Sequence, residues 1–349
     1  MPNSGARQVC GTKLRSGIEF DALSTNARCC DQRLFQWLPE ILQADPFSEL
    51  QHGPIRNAHV SADVGYVMVH SLAIESASGP CPVERRMPQI KDFCKYLDEI
   101  APLRLAEEWD NVGLLVGDPQ SPAERVMTCL TVTPSTVGEA IERDCHLIVT
   151  HHPLPFRPLK RLTTDETPSR LLWELVRAGV SVYSPHTGFD SAASGINQSL
   201  GERLCLENLE PLIPIEDDPE KLGAGRVGAL PIPQTLKEFA AYIKNQFGLP
   251  GIQVVGDLSS TVAKVGLACG SGASFLGNAI QAGCDTLVTG EARFHDCLEA
   301  DANQVSLVLM GHFASERFAV ELLGERIQAA FPGCTVWNSQ QEQDPVTWC

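Results

Sequence analysis

Across 349 residues the chain holds 43% hydrophobic and 20% charged residues and a formal net charge of −16, the profile of a globular protein long enough for two domains. That acidity excludes a nucleic-acid or anionic-membrane surface as the main partner, because such surfaces need clustered Lys and Arg. No apolar run reaches the roughly 18–20 residues of a membrane span, no apolar leader opens the chain, and 13 scattered cysteines without a C-x-x-C pair suit reduced thiols in a cytoplasmic protein.

Residues 1–86 carry short apolar patches ("LFQWLPEIL", "VGYVMVHSLAI") with no sustained period. They read either as a loosely ordered extension or as sequence translated ahead of a start at Met87. His52, His59 and His70 in this stretch are assigned no role.

From residue 88 the pattern is regular. Ile90, Phe93, Leu97 and Ile100 share one helical face, with Pro102 just past the end. "WDNVGLLVGD" turns into an extended segment, "RVMTCLTVT" is a strand and "PSTVGEAIERD" a helix with Pro and Ser at its start. "HLIVT" is the next strand. "TPSRLLWELVRAG" is a helix closed by Gly179, followed by the strand "VSVYS". Alternation of this kind implies parallel pairing in an α/β layer. The second half runs likewise: helix "TLKEFAAYIKNQFG", strand "KVGLAC", turn and helix "GSGASFLGNAIQAG", strands "DTLVT" and "VSLVLM".

The halves align with each other. "CHLIVTHHP" matches "CDTLVTGEA", and "VSVYSPHTGFD" matches "VSLVLMGHFASE" with one residue inserted. Each second stretch ends in a histidine followed four residues later by an acid, His186 with Asp190 and His312 with Glu316. The expected fold is α/β, with two similar units (87–205 and 206–349) facing each other across a crevice at their strand C-termini, where open α/β sheets bind ligands.

Chemistry gathers at that crevice. Alone, the His151–His152 pair reads as two hydrogen-bonded loop histidines, Glu316 as an ordinary acid near a helix start, and Asp190 as a turn residue. Together, three histidines and two carboxylates just beyond strand ends suit two divalent ions. His312 and Glu316 share one helix face, and a carboxylate placed there can bridge two cations. A ligand set without thiolate fits Zn, Fe, Mn, Co or Ni without choosing among them. His186 and His295 sit near the same rim as candidate proton carriers or ligand supports, and Glu291, at the repeat position of His152, as a group orienting ligand or substrate. For the two histidines a structural role competes evenly. "CGSGAS" reads mainly as a tight turn, and no G-x-S-x-G elbow signals serine catalysis.

In order, "EEWDNVGLLVGD", "THHPLPF", "YSPHTGFD", "GINQSLGERL", "VTGEARFHD" and "GHFASE" resemble the Nif-three-like family, whose members carry the label GTP cyclohydrolase 1 type 2 homologue. The resemblance spans about residues 88–349. It implies a dinuclear metal centre, with ligands at His151, His152, Asp190, His312 and Glu316, and a toroidal homohexamer. Gly188 stands where the family commonly has Asn, and "CGSGA" departs from its commoner glycine turn. The expected function is a metal-dependent hydrolase acting on a small molecule, a nucleotide or phosphoester. The alternative is a non-enzymatic metal-binding adaptor working through a ring-shaped homo-oligomer.

Overall fold

The computed structural model describes residues 86–220 and 222–349; the expectation for the leading segment falls on residues outside that description. The first part runs α1 (Ile90–Ile100), β1 (Gly113–Val116), β2 (Arg125–Cys129), α2 (Pro134–Glu142), β3 (Leu147–Thr150), α3 (Thr167–Ala178), β4 (Ser181–Ser184), α4 (His186–Ser191) and α5 (Ile196–Arg203). The second runs β5 (Glu207–Glu210), β6 (Ile213–Pro214), β7 (Gly223–Ala224), β8 (Arg226–Thr235), α6 (Leu236–Gln246), β9 (Gln253–Val255), β10 (Thr261–Ala268), α7 (Leu276–Gln281), β11 (Thr286–Thr289), α8 (Phe294–Ala302), β12 (Ser306–Leu309), α9 (His312–Ala330) and β13 (Thr335–Asn338).

Local chemistry accounts for several boundaries. Helix α1 buries Ile90, Phe93 and Leu97 completely, each contributing roughly 1.5–3 kcal/mol by leaving water, and Phe93 stacks on Phe331 at 4.0 Å between centroids. Helix α3 ends where Gly179 adopts φ +72°, a left-handed turn that a Cβ would oppose. Helix α6 starts at Thr235, whose Oγ1 accepts from Glu238 N while Glu238 Oε2 accepts from Thr235 N, a reciprocal cap.

Two sheets carry these elements, ordered β1-β4-β3-β2-β13 and β5-β8-β10-β11-β12-β9. The triplets β2-β3-β4 and β10-β11-β12 are each parallel, so the internal repeat read from "LIVT" and "TLVT" is a repeat of topology. Antiparallel strands flank both triplets, β1 beside β4, β8 beside β10 and β9 beside β12. Strand β8 is not legible locally, because Pro231 and Pro233 interrupt it. Both prolines fall where its pairing with β10 shifts register between Ala229 and Gln234, so no ladder donor is lost there. The last strand, grouped by sequence with 206–349, pairs with β2 in the first sheet.

Helix α9 links the two cores. Its Ala319, Leu323 and Ile327 pack with Ile90, Phe93 and Leu147, while its Ala314 and Phe318 pack against Phe239 and Ile243. Among the described residues no helix is long and apolar enough to cross a membrane.

The chain end is docked by a buried carboxylate. Glu139 on α2, only 5% exposed, accepts from Trp337 Nε1, Ser339 Oγ, Gln340 N and Gln341 N at 2.6–3.1 Å. Burial alone would raise its pKa, but the bonds from Ser339, Gln340, Gln341 and Trp337 outweigh it and hold it below the ordinary value. A depressed folded-state pKa stabilises the fold above the unfolded-state value, and that contribution is lost as pH falls through the folded value. Glu139→Gln is therefore expected to lower stability by about 1–3 kcal/mol at pH 7. The deficit should shrink as the pH is taken below about 4. Thermal unfolding of parent and variant at the two pH values checks this; a deficit independent of pH would contradict it.

Candidate metal centre

Strand β3 delivers the two histidines. The β2–β3 ladder continues one step past the strand, with His151 N donating to Cys129 O and His152 N to Leu130 O. Their rings lie 5.1 Å apart, tilted by 52°. From the other side, Gly311 (φ +93°) turns the chain from β12 into α9, and the first turn of that helix presents His312 and Glu316.

Three donor atoms then form a nearly equilateral triangle. His152 Nε2 lies 3.2 Å from Glu316 Oε2, His312 Nε2 lies 3.1 Å from that same oxygen, and the two nitrogens are 3.3 Å apart. Edges of this length belong to donors about 2.0–2.1 Å from one common ion. No aligned hydrogen bond serves Glu316 Oε2, although it is buried. The second oxygen faces elsewhere: Glu316 Oε1 lies 3.8 Å and Asp190 Oδ1 3.6 Å from His151 Nε2. His151 is 2% exposed, and neither of its ring nitrogens has a hydrogen-bond partner. Buried polar atoms without partners are costly. Donors crowded at 3.1–3.8 Å, with Glu316 Oε2 and both His151 ring nitrogens left without hydrogen bonds, fit cations held between them.

Charge is balanced tightly here. Burial would raise the Glu316 pKa, but His151, His152 and His312 outweigh it and hold the carboxylate well below its ordinary range. Burial, reinforced by Glu316, pushes Asp190 up to about 7. Burial drives His151 well down, whereas the neighbouring Glu316 carboxylate raises His312 to about 9. Gly270, at φ +59°, passes so close that a Cβ there would collide with the Glu316 carboxylate, so the "CGSG" turn is shaped by this approach.

Around the donors stand supporting groups. His312 Nδ1 lies 3.1 Å from Glu291 Oε1, and Ser271 Oγ donates to the same carboxylate. Cys269 Sγ donates to Asp190 Oδ1 at 3.2 Å, and burial raises this thiol well above its usual pKa. Two supporting groups, Cys269 and Asp110, have no strong local signature. Asp110 belongs to "WDN", and its buried carboxylate receives His186 Nδ1 at 2.7–2.8 Å, with Thr187 N and Oγ1 donating as well. His186 Nε2 is left outside that bond, and a donor atom from each of His151, His152 and His186 lies within 4.8 Å of the others.

The structure thus gathers His151, His152, Asp190, His312 and Glu316, with His186 and Glu291 beside them. His295 does not join. It sits exposed on the first turn of α8, its ring against Phe294, because the helix start rotates it to solvent. Two cavities of about 510 and 520 Å³ meet at His152 and His312. One is walled by Trp109, Phe156, His186 and Asp190, the other by Leu130, Phe313, Val346 and Trp348.

Residues 88–345 match the family model Duf34/NIF3 (NGG1p interacting factor 3). A Clostridium acetobutylicum protein called "GTP cyclohydrolase 1 type 2 homolog" is 30% identical over 242 residues, covering 69% of this chain and 90% of that one. The "Protein NIF3 homolog" of Schizosaccharomyces pombe is 33% identical over 268 residues, covering 72% and 95%. In solved structures the fold recurs in a Bacillus cereus protein related to NIF3, with TM-score 0.70, 23% identity, and coverage of 76% of this chain and all of that one.

Proposed function

The chain belongs to the Duf34/NIF3 family, and on that premise we propose that it is a dinuclear metal-dependent hydrolase acting on a small molecule, a nucleotide or a phosphoester. The observation carrying this reading is the single buried carboxylate of Glu316, whose two oxygens face two different donor sets. His152, His312 and Glu316 Oε2 would hold one ion; His151, Asp190 and Glu316 Oε1 would hold the other. All are nitrogen or oxygen donors, which suits Zn, Fe, Mn, Co or Ni. Such ions supply a water acidic enough to serve as nucleophile near neutral pH, and they polarise the electrophile.

The chain's own residues do the rest. Asp110 accepts the Nδ1 proton of His186, so Nε2 is the nitrogen free to take a proton from the attacking water and return it to the leaving group. Glu291 orients His312. Trp109 and Phe156, their centroids 6.0 Å apart and each about 6 Å from His186, offer apolar walls for a planar ring. The name of the Clostridium acetobutylicum relative points to a guanine nucleotide, and C8 is the electrophilic carbon proposed for it. His295, which lines neither cavity, has no part in this reading.

Metal analysis and turnover test it together. The full chain is expected to carry about two transition-metal ions and to hydrolyse a member of a nucleotide and phosphoester panel only when loaded. Asp110→Asn should keep both ions and lower kcat by roughly 10–100-fold; unchanged kcat would remove His186 as the proton carrier. A metal-loaded protein that assembles into a ring and hydrolyses nothing on the panel would favour the adaptor.

A further inference from the structure

The end of the chain reaches the donor cluster by a route that none of the sequence motifs contains. Glu342 is a buried carboxylate, its side chain 3% exposed. Its Oε2 accepts from Leu130 N at 2.9 Å and its Oε1 from Thr131 N at 2.7 Å. Arg317 Nε pairs with it at 2.8 Å, and Arg317 directly follows Glu316 on α9. Thr131 Oγ1 in turn lies 2.7 Å from His152 Nδ1.

We propose that Glu342 is a positioning residue for His152, acting through Thr131; the proposal rests on the metal-centre reading above. An imidazole binds an ion through one nitrogen and is aimed by whatever holds the other. With Nδ1–H donated to Thr131 Oγ1, the His152 lone pair is fixed on Nε2, toward Glu316 Oε2 and His312 Nε2. Thr131 lies outside any helix or strand, so it can aim a ring only if something holds it. Glu342 does so through two backbone amides, and through Arg317 the same carboxylate grips the helix that carries Glu316 and His312. The peg is itself rigid, because the preceding turn is docked on Glu139 through Gln340 N and Gln341 N. His151 has no matching support: its Nδ1 has no partner. The support therefore singles out one of the two ion positions.

Zinc titration of chelator-stripped full-length protein, followed calorimetrically, tests this with Thr131→Val and Glu342→Gln. The parent should bind two zinc ions. In Thr131→Val one site should weaken by about 10–100-fold, the range for loss of a group behind a ligand. The other should stay within about threefold, and thermal unfolding of the stripped protein should be unchanged. Glu342→Gln should shift the same site. If that variant fails to fold, Thr131→Val alone decides, since it removes one hydroxyl from a partly exposed residue. Two unchanged affinities in Thr131→Val would overturn the proposal, as would equal weakening of both sites with a lower midpoint, which is a general structural effect. A parent that binds no zinc would instead overturn the metal-centre reading, and this proposal with it.

Discussion

Glu316→Gln is expected to reduce bound metal from about two ions per chain to less than one, and to lower metal-dependent turnover by roughly 10³-fold or more. Glutamine keeps the shape of the side chain but removes its charge and one acceptor. Because Oε2 serves His152 and His312 while Oε1 faces His151, both positions suffer from one substitution. His312→Ala touches only the triangle, so it should leave about one ion, and the contrast separates a bridging carboxylate from an ordinary ligand. A second readout needs no substrate. A ligand that binds only the folded state stabilises it by about 4 kcal/mol when present at a thousandfold excess over its Kd. Added zinc should therefore raise the unfolding midpoint of the parent clearly and that of Glu316→Gln hardly at all. Equal metal content and equal stabilisation in the two proteins would rule out Glu316 as the shared ligand.

Arg226→Met should produce the largest loss of stability among the substitutions considered, about 3–5 kcal/mol, or a fall in midpoint of roughly 10 °C. Arg226 is 1% exposed. Its Nη1 donates to Gly223 O and Gly225 O, its Nη2 to Ser191 O and Ala192 O, and its Nε to Gln198 Oε1, all at 2.7–3.1 Å. All five guanidinium hydrogens are used, four of them on backbone carbonyls. Burial lowers its pKa to about 10, which leaves it charged at neutral pH. Methionine fills the volume but strands those acceptors. Lysine, a point donor without the planar fork, should recover only part of the loss. Ser191 and Ala192 directly follow Asp190, so this clamp ties β8 of the second sheet to a candidate ligand from the first. Arg226→Met should accordingly also lose the ion near His151 before the one near His152. Thermal unfolding with metal analysis checks both, and a loss below about 1 kcal/mol would show that the carbonyls find other donors.

What could be read from sequence is what local chemistry sets. The 3–4–3 spacing of Ile90, Phe93, Leu97 and Ile100 makes one helix face because the helix repeats every 3.6 residues. Gly179 stops α3 because it tolerates a left-handed turn, and Thr235 with Glu238 caps α6 within three residues. The twice-repeated strand ending in Val-Thr, and the histidine–acid pairs four residues apart, placed candidate donors at strand ends without reference to any long-range contact. Tertiary structure decided everything that depends on residues meeting across large separations. Asp110 and His186 meet 76 positions apart, and Glu342 and Leu130 meet 212 apart. Nothing in the residues between them encodes either pairing: the first arises when β1 pairs with β4, the second when β13 returns to the first sheet beside β2. The packing of α9 between two cores turns Glu316 from an acid on a helix face into a carboxylate with an oxygen toward each donor set. It leaves His295, close in sequence to Glu291, facing solvent. The sequence by itself determined which side chains could carry the chemistry; which of them converge was decided by how the two sheets close on helix α9, because convergence is a property of packing and not of spacing.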